Sequence, residues 1–185
     1  MMRTMLLVSC LVAPLPAAAQ TMVDATEPAE VMNIARGWGS ALLETDEAGD
    51  PMIRGRIEGI AYIIYFYGCT EGRDCNNIQL RASWLLEGVD MERMNTWNRE
   101  RRFGKAYLDA DGNPSIEMTL NLAFGVTARN LDDTFGWWAA ILPQFFDHIT
   151  NAEGPAELPE DSHLAPVPLE GVTDPLVSRP QNATR

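Results

Sequence analysis

The densest apolar pattern in the chain lies between Gly59 and Trp84. From Ile60 to Tyr67 nearly every position is apolar or aromatic, with Ile60, Tyr62, Ile64 and Phe66 on one face and Ala61, Ile63, Tyr65 and Tyr67 on the other. That predicts a central strand covered on both sides. Ile78 to Trp84 alternates instead, with Ile78, Leu80, Ala82 and Trp84 inward and Gln79, Arg81 and Ser83 outward, as in a half-buried strand nearer to solvent. The two runs flank Gly68 to Cys75 and predict an antiparallel hairpin whose loop is closed by a Cys69–Cys75 disulfide.

The rest of the chain alternates between helical and strand periods. Val31, Ile34, Ala35 and Trp38 recur at helical spacing behind Thr26, Glu27 and Pro28, which predicts a helix capped by Thr26 and ended by Gly37 and Gly39. Ala41 to Thr45 and Met52 to Glu58 predict two strands around an Asp46-to-Pro51 turn. A second helix is expected over Met91 to Phe103 with Asp90 as its cap, closed by Gly104. Lys105 to Asp109 and Ser115 to Leu122 form a second hairpin around an Asp-Gly turn. The third helix is expected from about Leu131, capped by Asn130, to about Ile149. Its docking face is Leu131, Phe135, Trp138, Leu142, Phe145 and Ile149, and Pro143 is expected to kink it.

Two terminal stretches differ from this pattern. Arg3, an apolar run from Met5 to Leu15 and Ala17-Ala18-Ala19 form the three regions of a secretory signal peptide, cleaved after Ala19, so residues 1–19 are expected to be absent from the mature protein. The competing reading takes Leu7 to Cys10 as a lipobox with a lipidated Cys10, although the apolar run before it is short. From 151 to 185 there are six prolines, no aromatic residue and more acids than bases, which predicts a disordered acidic tail. Residues 20–150 form the expected domain. No stretch after the leader approaches the length of a membrane span. The mature protein is therefore expected in the periplasm or outside the cell, where an even cysteine pair is oxidised.

The formal charge is −12, and loss of Arg3 takes it to −13. A chain with that field does not hold nucleic acid or an anionic membrane through its overall charge. The concentrated polar and basic patch is on the second helix: Asn95, Trp97 and Asn98 with Arg99, Arg101, Arg102 and Lys105. It reads either as a docking face for an acidic peptide, since guanidinium groups pair bidentately with carboxylates, or as a packed helix with solvated or paired arginines. Trp137 reads as an exposed aromatic at a partner surface or as ordinary burial, next to a buried Trp138. Asp109 to Asn113 resembles the start of a calcium loop, but Pro114 and Leu120 stand where that loop needs Gly and Glu. With two histidines and no spare thiolate, neither a metal site nor a nucleophile-and-base pair can be assembled. No cofactor is expected.

Taken together, the Phe66-to-Cys75 hairpin, Met94-Asn95-Thr96-Trp97-Asn98, Arg102-Phe103-Gly104-Lys105-Ala106-Tyr107-Leu108, the Asp-Gly turn, the alternating strand and the Trp137-Trp138 helix resemble the YbjN family over about residues 26–149. The resemblance implies a sensory transduction or stress regulator without catalysis and a fold similar to type III secretion chaperones. It also implies a homodimer. The signal peptide, the cysteine pair and the proline-rich tail depart from the cytoplasmic members. The fold expected is α+β, an antiparallel sheet of five to six strands packed by three helices. The function expected is protein or peptide binding through Asn95, Trp97, Asn98, Arg101, Arg102 and Trp137. The alternative is a small-molecule sensor or carrier with its ligand between sheet and helix. An enzyme would need a carboxylate pair such as Glu117 with a neighbouring Asp.

Overall fold

The structure, a computed structural model, describes residues 20–151. The expected signal peptide, Cys10 and the expected tail beyond Asn151 lie outside the described residues. The described chain runs β1 (Met22–Val23), α1 (Pro28–Arg36), β2 (Ser40–Thr45), β3 (Pro51–Ile57), β4 (Ile60–Tyr67), β5 (Asn77–Ser83), α2 (Met91–Glu100), β6 (Lys105–Leu108), β7 (Pro114–Asn121), β8 (Val126–Thr127) and α3 (Ala128–Thr150). Six strands form one antiparallel sheet in the order β2-β3-β4-β5-β7-β6. This is the α+β architecture that the alternating periods predict.

Strands β1 and β8 form a separate two-residue ladder, Met22 opposite Thr127 and Val23 opposite Val126, which ties the start of the described chain to the start of α3. Neither is legible in the sequence, because two residues are too few to show a period.

The helices pack on one face of the sheet. Tyr62, Ile64 and Phe66 of β4, Ile78 and Leu80 of β5 and Ile116 of β7 are buried there in one cluster with Leu131, Phe135, Trp138, Leu142 and Phe145 of α3. Fully burying side chains of this size stabilises by roughly 1.5–3 kcal/mol each. Val31 and Ala35 of α1 and Met94 and Trp97 of α2 complete the core.

Strand β4 is central, but it is covered on one side alone, which corrects the expectation of two covered faces. Ala61 and Tyr67 are exposed and Ile63 and Tyr65 half-buried. The physical reason is in the register: Ile63 lies between Arg54 of β3 and Arg81 of β5, and Tyr65 between Met52 and Gln79. Long arginine stems shelter apolar surface while their heads stay wet, and tyrosine tolerates a half-exposed site. Strand β5 is interior too, between β4 and β7, and not the more peripheral strand that its alternation predicts.

Local ends also differ from expectation. Glu27, and not Thr26, precedes α1, while Thr26 donates to Asp24. Trp38 falls after the helix, and its indole N–H reaches Asp132 Oδ1 at 2.9 Å. Helix α2 stops at Glu100, and Arg101 is extended. Helix α3 begins one turn earlier than expected, capped by Thr127 Oγ1 accepting from the Asn130 N–H at 3.1 Å, and it continues through Pro143.

Candidate functional site

The second-helix patch divides once side chains are placed. Asp90 caps α2 by accepting from the Arg93 N–H at 2.9 Å, which fixes the face that turns inward. Trp97 is on that face, 1% exposed, edge-on to Phe145 and donating its indole N–H to Gly104 O at 2.9 Å. Asn98 donates to Ala106 O at 2.9 Å and accepts from Ala106 N at 2.8 Å. Both of these residues therefore hold α2 to the sheet. Asn95, Arg101 and Arg102 remain exposed. The Arg101 guanidinium lies 5.6 Å from the Trp97 ring and that of Arg102 5.6 Å from the Phe103 ring. Trp137 is 42% exposed and packs edge-on to Phe103 at 3.8 Å. Asn98 is exposed too, despite its bonds to Ala106, so five of the six candidate binding residues are on the surface along the helical side and Trp97 alone is buried.

The other side of the sheet carries a feature that the sequence reading missed. A groove of about 630 Å³ runs across the helix-free face. Its charged lining is Arg54 and Arg56 from β3, Arg81 from β5 and Asp109 from the turn after β6. Strand alternation puts the first two on one face, two residues apart, and the register Arg54–Ile63–Arg81 brings the third across from them. Each arginine is visible in the sequence as an outward position. Only the strand order shows that they converge.

These cations are lightly held. Arg54 pairs with Glu44 at 2.7 Å, with the arginine side chain 58% exposed. Arg56 donates to the Gly59 carbonyl. Arg81 is 3.7 Å from Asp109, donates to Ser83 Oγ at 3.3 Å and lies over the Tyr107 ring. Asp109 is occupied by its own turn, accepting from Asn113 N at 2.8 Å and Asp111 N at 3.0 Å. The amide of Asn113 is the main reason that its carboxyl is held below the usual range. Beneath the groove, Tyr62 is pushed up to about 12 by burial, so it is a neutral phenol at ordinary pH.

Nothing in this arrangement pairs a base with a nucleophile. Glu117 is bonded to Lys105 at 3.1 Å, and Asp109 is a turn residue. Among the described residues no three His, Cys, Asp or Glu side chains converge as a metal site would need. The Cys69–Cys75 disulfide is formed and closes the β4–β5 hairpin loop. No helix among the described residues is long and apolar enough to cross a membrane.

No curated protein matches the chain. The family described as "Putative bacterial sensory transduction regulator", YbjN, matches residues 31–151, from within α1 to the end of α3, which takes in the whole six-stranded sheet and the groove. The chain belongs to the YbjN family.

Proposed function

We propose that this protein is an exported, non-catalytic regulator that works by binding a protein or peptide on the helix-free face of its sheet. The observation that carries the reading is the one-sided packing. Six antiparallel strands present a broad face with a 630 Å³ groove, and no described element covers it. Between sheet and helices, Phe135, Trp138, Leu142 and Phe145 are all fully buried, which favours the open face over that layer as the binding surface. The family description supports the regulatory part. The leader pattern at residues 1–19 and the oxidised cysteine pair support export.

Two measurements test this reading. N-terminal sequencing of protein recovered from the periplasm or medium is expected to start at Gln20, and recovery of the intact leader in the cytoplasm contradicts export. A photo-crosslinking residue at Thr119, an exposed position on the open face, is expected to trap a partner in the native host. The same residue at Ala140, exposed on α3, is expected to trap none. Equal trapping from both positions, or trapping from Ala140 alone, contradicts the assignment of the face.

A further inference from the structure

The groove's chemistry narrows the partner, and this step rests on the open-face reading above. We propose that the groove takes an extended peptide segment with acidic residues at alternate positions. Arg54 and Arg56 are two residues apart on one face of β3, a separation of about 6.7 Å along the strand. An extended peptide repeats its own side chains on one face with that same spacing. Carboxylates at positions i and i+2 of such a peptide therefore meet the two guanidinium groups together, each in the planar geometry that arginine favours. Arg81 lies two ladder steps away, on the far side of Ile63, at roughly 9.5 Å. Ala61 and Ile63 floor the space between the two rows of charge and suit an apolar side chain of the same segment.

Charge complementarity carries the argument. The chain as a whole has formal charge −12, yet three cations and one acid line this groove. That acid is already bonded to two turn amides, and its contact with Arg81, at 3.7 Å, is longer than a hydrogen bond. The Arg54–Glu44 pair is of the exposed kind that contributes little and is readily exchanged. Each guanidinium has five N–H donors, and one of them is engaged in a hydrogen bond described above. The net field of the chain repels acidic segments in general, so attachment depends on this local concentration of positive charge.

The test uses the mature protein and short fluorescein-labelled peptides in which Val alternates with Glu, with Gln or with Lys, read by fluorescence anisotropy. The Glu peptide is expected to bind about tenfold or more tighter than the Gln peptide, equivalent to about 1.4 kcal/mol. Its affinity is expected to weaken as salt rises, because the groove is open to solvent. Arg56→Ala with Arg81→Ala, shown by circular dichroism to be folded, is expected to lose that preference, while Arg101→Ala, just after α2 on the helical side, keeps it. Equal binding of the Glu and Gln peptides, no binding of either, or a preference that survives the double substitution overturns the proposal. So does competition by free glutamate as strong as that of the peptide, which assigns the groove to small carboxylates. If crosslinking at Thr119 still traps a partner when the Glu peptide fails, the open-face reading stands and this peptide chemistry does not.

Discussion

Asn98 forms a closed pair of hydrogen bonds with the backbone of Ala106, giving its amide N–H to the carbonyl at 2.9 Å and taking the peptide N–H at 2.8 Å. Strand β6 is an outer strand of the sheet, and this side chain from α2 occupies backbone groups that would otherwise face water or another chain. Asparagine is a poor helix former, and its presence in α2 is explained by this strand-mimicking contact.

Asn98→Ala is therefore expected to cost about 1–3 kcal/mol, since two backbone groups of a partly buried edge lose their partner. Asn98→Asp keeps the acceptor and is expected to cost less. Denaturant unfolding of the three proteins checks the order. An alanine variant as stable as the parent contradicts the structural role.

Trp97→Ala is expected to cost about 3–5 kcal/mol, because a fully buried indole is deleted from the contact with Phe145. Arg101→Ala, which loses one exposed contact to the same ring, is expected to cost less than about 1 kcal/mol. Thermal melts of both distinguish the packing of α2 from its surface chemistry.

Tyr62 opposes Gly55 across the β3–β4 ladder, and a Cβ built on Gly55 would meet the Tyr62 ring at 2.3 Å. The ring takes the place of the missing side chain, so Gly55→Ala is expected to destabilise by about 1–3 kcal/mol. A double-mutant cycle with Tyr62→Leu is expected to show coupling, and simple additivity contradicts the contact. The Tyr62 hydroxyl is buried without a hydrogen-bond partner. Tyr62→Phe is expected to leave stability unchanged or raise it by about 1 kcal/mol.

The same phenol sets an alkaline limit. Burial raises Tyr62 from 10.0 to about 12, and burial also raises Tyr107 to about 12. A raised folded-state value means that the folded protein holds the proton more tightly. The stability tied to it is complete below pH 10 and is lost as pH climbs from 10 to 12. Tyr62→Phe is expected to flatten that decline, as followed by urea unfolding at rising pH. An unchanged decline contradicts burial of the phenol.

Removing the disulfide with Cys69→Ser and Cys75→Ser is expected to cost roughly 2–2.5 kcal/mol without unfolding the domain. The β4–β5 ladder continues from Tyr67 opposite Asn77 to Ile63 opposite Arg81 with no help from the bond. Loss of native circular dichroism in the double variant contradicts this.

Periodicity made most of the secondary structure readable, because each strand of the main sheet from β3 onward and the helix α3 have a face that meets the core. The spacing Leu131, Phe135, Trp138, Leu142 is recovered as four buried positions of α3, and in β7 Ile116 is buried, Met118 and Leu120 are partly buried against the core and Thr119 is exposed. Strand β4 misled, because Ile63 and Tyr65 look like core in the sequence, while in the fold they are half-buried on the open face, Ile63 between Arg54 and Arg81 and Tyr65 between Met52 and Gln79. The groove was illegible for a related reason. Arg54 and Arg81 are 27 positions apart in the chain and two strands apart in the sheet, and local pattern does not encode strand order. The structural part that Asn98 plays was illegible because its partner, Ala106, lies outside the helix that contains it. Arg93, which donates to the carbonyls of His148 and Asn151 and so closes the end of α3, was hidden in the same way.

The most direct measurement is an NMR titration of the mature protein with the partner trapped from Thr119, following the Ile63 δ1 methyl on the open face and the Trp137 indole N–H on the helical side. The account predicts that the Ile63 methyl shifts with occupancy while the Trp137 indole stays in place. A shift of the Trp137 indole with a silent Ile63 methyl contradicts it and moves the binding surface to the helices.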